Sequence, residues 1–268
     1  MPVSNSRLYF RYIGILLRGQ MQYPASFWMM TASFFISMAM EFAGIVVLFQ
    51  RFGNLKGWTL AEVALLYGIV GMGFAIAEGV GRGFDMFSNL VKTGDFDRLL
   101  LRPRSTALQV LGTDMQLMRI GRLLQALVVL LWALPHLAIV WTVAKVALLI
   151  FGILGAACLF GGLFVLQATL SFWTIETLEI WNAVTYGGME TGQYPFTVYR
   201  PWFRRFFTFV IPLACANYLP ANALFGRPDP FGAPAIVQWL APGAGFVFLL
   251  FCLQAWKVGV RYYCSTGS

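Results

Sequence analysis

Few side chains in this sequence are of the types that perform catalysis or bind metals. There is one histidine, His136, and there are four cysteines, Cys158, Cys215, Cys252 and Cys264. No two cysteines have the CxxC spacing of a zinc site, and one histidine cannot supply paired axial ligands to a haem. The HExxH, GxSxG and GxxxxGK[ST] signatures are also missing. We therefore expect no catalytic, cofactor or metal site, and interpret the cysteines as packing residues and His136 as a buried hydrogen-bonding residue.

Charged residues are concentrated in one short stretch, KTGDFDRLLLRPRS, at 92–105. Its charges surround the run Leu99, Leu100 and Leu101, and Pro103 would stop a helix that begins near Asp95. Residues 106–109 (TALQ) have the spacing of a capping box, which predicts a helix leading into the next apolar segment. A charged helix with an apolar ridge favours docking into a groove of a partner. A solvated loop whose charges only set membrane topology is the alternative.

The elements around this stretch follow from composition. Only 11% of the 268 residues are charged and the mean hydropathy is +0.71, whereas a soluble domain has about a quarter of its residues charged. Apolar runs of roughly 20 residues, the length that crosses about 30 Å of hydrocarbon, predict an all-α membrane protein with six transmembrane helices. The predicted spans are 27–49, 62–81, 123–143, 146–172, 206–225 and 240–260. Pro212 and Pro220 predict that the fifth is broken.

Basic residues set the expected orientation of these spans. With the N-terminus inside, the cytoplasmic segments hold Arg7, Arg11, Arg18, Arg82, Lys92, Arg98, Arg102, Arg104, Arg119, Arg122, Arg200, Arg204, Arg205, Lys257 and Arg261. The outer segments hold Arg51, Lys56, Lys145 and Arg227. This positive-inside bias predicts cytoplasmic termini. The net charge of +8 is then a topology signal and an attraction to anionic lipid rather than a sign of nucleic-acid binding.

The N-terminal segment, residues 1–26, has the pattern of an amphipathic helix. Arg7, Arg11 and Arg18 fall within about 40° of one another at 100° per residue, and apolar residues lie opposite. We expect an interfacial helix with its arginines toward the headgroups, rather than an extension of the first span.

Charges inside the predicted spans are candidate functional positions. Glu78 and Arg82 have the i,i+4 spacing of a structural pair. Glu41 would line a cavity between subunits or lie near the outer headgroups. Three further acidic residues, Glu176, Glu179 and Glu190, fall in the predicted cytoplasmic segment 174–205. We expect a solvated interfacial helix there, although a second docking surface stays open.

Several stretches together carry a resemblance to a known family. They are GDFDRLLLRP at 94–103, YPFTVY at 194–199, LPANALFGRPDP at 219–230 and GVRYYCSTGS at 259–268. With them the chain resembles, over essentially its whole length, the ABC-2 type permeases of bacterial ATP-driven exporters. The closer likeness is to the subfamily encoded beside an ATPase and a second, related permease.

This resemblance implies a single transmembrane domain over 1–268, located in the bacterial cytoplasmic (inner) membrane. It implies a connecting helix within 1–26, a cytoplasmic coupling loop at 82–122 between spans 2 and 3, and a broken helix with a re-entrant extracellular element at 212–238. The ATPase-coupling role falls on Asp95, Phe96, Asp97, Arg98, Leu99, Leu100, Leu101 and Arg102. The implied partners are an ATPase dimer, which would bind ATP and Mg²⁺, and a second permease that is a related chain rather than a copy.

Two other classes of function stay in view. A six-helix secondary carrier, or a substrate-binding membrane module, would work without an ATPase and would not need the leucine ridge. A membrane enzyme would need a converging set of nucleophile, base or metal ligands, and the sequence offers no such set. The largely apolar spans indicate an amphipathic or hydrophobic cargo, such as a lipid-like molecule, an antibiotic or a peptide.

Overall fold

The structure is a computed structural model that describes residues 5–174 and 178–264. All regular secondary structure in these ranges is helical, apart from an isolated bridge between Leu55 and Trp58. The helices are α1 Asn5–Gln20, α2 Pro24–Phe52, α3 Leu60–Asp85, α4 Phe87–Lys92, α5 Asp95–Leu100, α6 Thr106–Leu111, α7 Ile120–His136, α8 Val143–Leu170, α9 Leu178–Gly192, α10 Pro201–Arg205, α11 Leu213–Ala216, α12 Tyr218–Phe225, α13 Ala235–Leu240 and α14 Gly243–Arg261. Short 3₁₀ turns at Leu117–Arg119 and Phe196–Val198 and a π turn at Phe206–Val210 complete the described elements.

Five of these helices, α2, α3, α7, α8 and α14, are long and apolar enough to cross a membrane. A sixth candidate is the pair Pro201–Val210 and Leu213–Phe225, which is bent by 71°. The described part of the chain is therefore an all-helical multi-pass protein with five to six candidate spans. The five predicted spans that match α2, α3, α7, α8 and α14 are confirmed to within a few residues, apart from the earlier end of α7 at His136.

The centre of the bundle is built by α3, α8 and α14, which run parallel. A Cβ on Gly73 would lie 2.5 Å from the Cβ of Ala156, and one on Gly245 would lie 2.0 Å from the carbonyl oxygen of Gly155. Only glycine permits these approaches. Close backbone packing at small residues is a main source of helix association in membranes, where lipid is as apolar as leucine.

Two helices of similar length differ greatly in burial. In their most apolar windows, α3 is 83% buried and α2 is 17% buried. Helix α2 lies at the edge and packs mainly against α7, where a Cβ on Gly121 would meet the carbonyl oxygen of Thr31. Most of the surface of α2 is therefore left to lipid or to another chain.

The bundle has two ends, which we name by a residue at each. The Asp95 end holds α5 and the start of α7, and the Trp58 end holds the connection between α2 and α3. Helix α3 begins at the Trp58 end with a capping box, in which Thr59 accepts a hydrogen bond from the Glu62 amide and Glu62 accepts one from the Thr59 amide. The same Glu62 carboxylate pairs with Arg227 at 2.6 Å, so Arg227 also lies at the Trp58 end.

The predicted fifth span, 206–225, coincides with the bent pair described above. Lys56 Nζ donates a hydrogen bond to the carbonyl oxygen of Thr197 at 3.1 Å, which places residue 197 at the Trp58 end. Because Arg227 lies there too, the bent pair 201–225 starts and finishes at the same end. Between Thr197 and Arg227 the chain enters the interior of the bundle. There the buried side-chain amide of Asn217 donates a hydrogen bond to the carbonyl oxygen of Gly192 at 2.5 Å.

The segment that connects the two ends is α9. Tyr186 contacts Phe74 and Glu78 of α3, and Gly192 lies against Val70, so α9 runs antiparallel to α3 toward the Trp58 end. Hydropathy missed α9 because it is only 15 residues long and includes polar residues. Arg200, Arg204 and Arg205 consequently do not lie at the Asp95 end, contrary to prediction. Of the acidic residues predicted there, Glu176 lies outside the described residues.

The N-terminal helix α1 is separated from α2 by a turn at 21–23, so it is not an extension of the first span. The side chain of Gln20 accepts a hydrogen bond from the Leu117 amide at 3.0 Å and donates one to the carbonyl oxygen of Met115. Tyr12 packs against Gly112. Helix α1 therefore lies beside the connection that leads into α7, with Arg11 and Arg18 exposed.

Candidate functional site

The predicted docking stretch forms the short helix α5, which stands between two breaks. Gly94 precedes it with a φ of 71°, a left-handed conformation that side-chain-bearing residues rarely adopt, and Pro103 follows it. Thr93 donates a hydrogen bond to Asp95 at 2.8 Å, which ties the first turn to the preceding segment. The prediction of a helix beginning near Asp95 and ending before Pro103 is confirmed.

One face of α5 is inserted into an aromatic cluster. Phe96 is fully buried, with its ring centroid 4.9 Å from that of Phe87, 5.0 Å from Tyr263 and 5.6 Å from Phe172. Trp256 of α14 joins the same cluster. Helix α5 is thus fixed to the ends of α8 and α14 as well as to α4, which is nearer in sequence.

The side chains on the opposite face of α5 are exposed. The side chain of Arg98 is 81% exposed, and Leu101, just after the helix, is 86% exposed. Leu100 is partly exposed at 39% and Leu99 is buried. The predicted three-leucine ridge is therefore wrong, because Leu99 joins Phe96 on the inner face.

The charged residues of α5 and of the segment just after it lie on or beside its exposed face. Arg98 and Asp95 form an ion pair at 3.3 Å, and Arg102 is exposed beyond them. Asp97 lies near the C-terminal tail, where burial and the Asp97 side chain together raise the pKa of the Tyr263 hydroxyl. The docking surface, as we use the term below, consists of Arg98, Leu100, Leu101 and Arg102.

The capping box predicted at 106–109 is absent. Ser105 is the N-cap of α6, and no side chain caps it. The buried Gln109 amide instead donates to the carbonyl oxygens of Leu99 at 3.1 Å and Arg104 at 3.2 Å. Gln109 therefore secures the end of α5 rather than the start of α6. Thr106 accepts a hydrogen bond from the Trp256 indole at 3.1 Å, which links α6 to α14.

A buried cluster of charges lies one layer further inside the bundle. Glu78 is completely buried, and its carboxylate pairs with Arg119 at 2.5 Å and Arg122 at 2.8 Å. Tyr186 of α9 donates a hydrogen bond to the same carboxylate at 3.3 Å. The predicted Glu78–Arg82 pair is therefore wrong. Glu78 instead joins three helices, since its partners lie on α7, on the 3₁₀ turn before it and on α9.

Arg82 belongs to a second pair in the same layer. It forms an ion pair with Asp85, and the Gln167 amide donates to the Asp85 carboxylate at 3.3 Å. These contacts connect the last turn of α3 to α8. Sequence reasoning missed Asp85, Arg119, Arg122, Gln167 and Tyr186 as partners of this cluster. The charges flanking the span at 123–143 were the one available signal, and they were interpreted only as topology determinants.

Glu41 lies on the open side of the bundle, where it is exposed. It is close enough to Arg122 and Glu190 to interact with both electrostatically. Glu190 of α9 is also exposed, so the two carboxylates share the face between α2 and α9. Which of the two predicted positions Glu41 occupies, a cavity between subunits or the outer headgroups, stays a prediction.

The remaining candidates for chemistry are scattered. His136 is exposed, contrary to prediction, and its Nδ1 lies 2.7 Å from the carbonyl oxygen of Trp132 at the end of α7. Cys252 is buried, Cys158 and Cys215 are half-buried, and Cys264 is exposed. Within residues 5–174 and 178–264, no three His, Cys, Asp or Glu side chains are grouped to hold a metal ion.

An α-helical bundle with five to six apolar candidate spans indicates a multi-pass membrane protein. Residues 35–267 match the ABC-2 family of transporter proteins, so the chain belongs to that family. It has no significant match among curated proteins or solved structures. Members of this family are permease-type modules that are not themselves catalytic and generally work with an ATPase subunit.

Proposed function

We propose that this chain is the transmembrane permease subunit of an ATP-driven exporter and that the docking surface on α5 couples it to a separate ATPase. The observation that carries the proposal is the division of α5, which is anchored by Phe96 and Leu99 and presents Arg98 and Leu101 outward. An isolated loop that served only as a topology signal would need no buried anchor. ATP and Mg²⁺ would bind in the partner, whose hydrolysis of ATP supplies the energy.

In this proposal the Asp95 end faces the cytoplasm of a bacterium and the protein lies in its inner membrane. The Asp95 end keeps the larger share of Lys and Arg even after Arg200, Arg204 and Arg205 are moved to the other end. Both described ends of the chain, α1 and the residues after α14, lie at that end. Helix α1, with Arg11 and Arg18 exposed, would be the interfacial connecting helix.

The six crossings would then be α2, α3, α7, α8, α9 and α14. Helix α9 covers about 22 Å at 1.5 Å per residue, and the chain from Tyr194 to Thr197 completes the crossing. The bent pair 201–225 would be a re-entrant element that enters from the outer side and returns there. Its backbone break at Ile211 and Pro212 would be tolerated inside a membrane because it is enclosed by protein, as the burial of Ile211 indicates.

Coupling would follow the contacts of α5. A push on Leu101 and Arg98 by the closing ATPase dimer moves Phe96, whose ring lies against Phe87 and Trp256. The movement would thereby reach α14 and α4, which directly follows α3, and close packing would transmit it because the core is not readily deformed. The exposed face of α2 and α9, with Glu41 and Glu190, would meet a second permease, a related chain by the family likeness, and line the transport path.

The test is co-purification of the chain in nanodiscs with the ATPase encoded beside it. Wild type is compared with Leu101→Asp, and Val140→Asp is the matched control because Val140 is 81% exposed at the Trp58 end. We expect Leu101→Asp to lose the ATPase and Val140→Asp to retain it. Transport that persists in Leu101→Asp without an ATPase would contradict the proposal and favour a secondary carrier.

A further inference from the structure

A groove runs along the outside of the bundle between α3, α8 and α14, and α6 closes it at the Asp95 end. Its volume is about 490 Å³ and its walls are apolar. It exists because small residues, Gly81, Ala157 and Gly161, stand where larger side chains would fill the space. Neighbouring large side chains, such as Phe246 and Leu253, form its rim.

The length of the groove along α8 corresponds to the thickness of one leaflet of a bilayer. On α8 its lining runs from Leu154 to Val165, which is about 16 Å at 1.5 Å per residue. This is half of the roughly 30 Å of hydrocarbon in a bilayer. Leu154 lies near the middle of α8, and Val165 lies in the half of α8 nearest the Asp95 end. The groove therefore has the length and the position of a single acyl chain of that leaflet.

A basic residue stands where the headgroup of such a lipid would lie. Lys257 follows Leu253 by four residues on α14, so it occupies the same face one turn nearer the Asp95 end. It is exposed, and its ammonium group donates to the neutral amide of Gln254 at 3.2 Å. Arg261, also exposed, is one turn further along.

We infer that this groove is a binding site for an anionic phospholipid, with one acyl chain between α3, α8 and α14 and the phosphate at Lys257. The charge of Lys257 selects the negative headgroup, since one basic residue near an anionic surface is worth about 1 kcal/mol. A zwitterionic lipid would enter the groove with its chain but would gain less at its headgroup. The inference needs only membrane insertion and does not depend on an ATPase.

The position of the site gives it a role in holding the docking surface. Helix α6, which closes the groove at the Asp95 end, is hydrogen-bonded to Trp256 through Thr106 and to the end of α5 through Gln109. A lipid seated there contacts α6 and α14 at once. It would therefore stabilise the support of α5 from the lipid side.

The experiment uses the purified chain in phosphatidylcholine nanodiscs that contain a small fraction of a phospholipid with a photoreactive group in its acyl chain. The probe is phosphatidylglycerol in one sample and phosphatidylcholine in the other. Mass spectrometry locates the labelled residues. We expect phosphatidylglycerol to label the groove peptides of α6 and α8 in preference to phosphatidylcholine.

Two pairs of variants make the result specific. A Cβ on Gly161 has only the Leu249 Cδ1 atom nearby, at 4.0 Å, so Gly161→Phe fills the groove, whereas Gly79→Phe points into open space elsewhere on the bundle. Gly161→Phe should abolish the groove label and Gly79→Phe should keep it. Lys257→Gln should reduce the phosphatidylglycerol label about fivefold, and Lys145→Gln, at the Trp58 end, should not.

Several results would overturn the inference. Equal labelling by both lipids with no effect of Lys257→Gln would show a groove without headgroup selection. Labelling that survives Gly161→Phe would place the lipid elsewhere. Cross-links between two copies of the chain at this groove would make it a protein interface. Gly161→Ala, a smaller change expected to reduce labelling partly, keeps the test valid if Gly161→Phe does not fold.

Discussion

Two groups of charges lie at the Asp95 end, and they are placed in opposite ways. The Glu78 carboxylate is completely buried and meets two arginines and a tyrosine from other elements. The Arg98–Asp95 pair of α5 is largely exposed and local, since its partners are three positions apart on one helix. A buried ion left without its partner costs several kcal/mol, whereas an exposed pair contributes about 0 to 1 kcal/mol. The first group therefore holds helices together, and the second leaves its charge available to a partner.

The apolar residues of α5 show the same division. Phe96 is fully buried among the rings of Phe87, Phe172 and Tyr263, whereas Leu101 is 86% exposed. The comparison separates residues by the property they should affect. Inner residues should change stability, and outer residues should change partner binding alone.

The largest loss of stability is expected for Glu78→Gln. The change leaves Arg119 and Arg122 buried without a carboxylate, which should lower the free energy of unfolding by about 4 kcal/mol. Thermal unfolding in nanodiscs measures the effect. Glu190→Gln, at an exposed position, is the control and should unfold like wild type. Equal stability of both variants would mean that the buried cluster is not structural.

A smaller loss is expected for Phe96→Ala. Removing the buried ring leaves a cavity against Phe87 and Trp256, at a cost of about 3 kcal/mol. Because α5 would lose its anchor, ATPase binding should fall as well. Both effects are measurable on one sample, by thermal unfolding and by co-purification. A variant that unfolds earlier but binds the ATPase normally would break the link between anchor and docking surface.

Trp256→Phe sharpens the comparison, because it keeps an aromatic ring and removes the indole N–H that donates to Thr106. The loss of this hydrogen bond should cost about 1 kcal/mol. Thr106→Val removes the acceptor instead. The double variant should be little worse than either single variant if the two groups act only on each other, and additive losses would contradict the assigned bond.

The smallest effect on stability is expected for Arg98→Gln. Its exposed pair with Asp95 should contribute less than 1 kcal/mol, so the unfolding temperature should scarcely change. Association with the ATPase should nevertheless weaken, and more so at low salt, where surface charges act over longer distances. A clear loss of stability with normal association would reverse the assignment of this residue.

The sequence predicted the parts of the fold that depend on long apolar runs. Helices α2, α3, α8 and α14 follow directly from hydropathy, and Gly94 and Pro103 bound α5 as their backbone preferences require. Helix α9 was not predicted because it is short and partly polar. The more apolar stretch 206–225 was predicted as a span, and the residues that flank it, Thr197 and Arg227, both lie at the Trp58 end.

The bounds of helix α5 were predicted, but the contacts of its residues and of the buried charges were not. Local spacing favoured Glu78 with Arg82, whereas Glu78 pairs with arginines more than 40 residues away, which no local pattern reveals. Likewise, the leucine run did not show which residue turns inward. That depends on the aromatic cluster, to which α8, α14 and the C-terminal tail contribute.

The central claim is that the outer surface of α5 touches the ATPase. Its most direct test is cross-linking in bacterial membranes between single cysteines, after the four native cysteines are replaced. A cysteine at Leu101 is compared with one at Val140, which is similarly exposed at the other end. We predict that Leu101→Cys is joined to the ATPase by a short bifunctional reagent and that Val140→Cys is not. The absence of any product from Leu101→Cys, or equal products from both positions, would contradict the account.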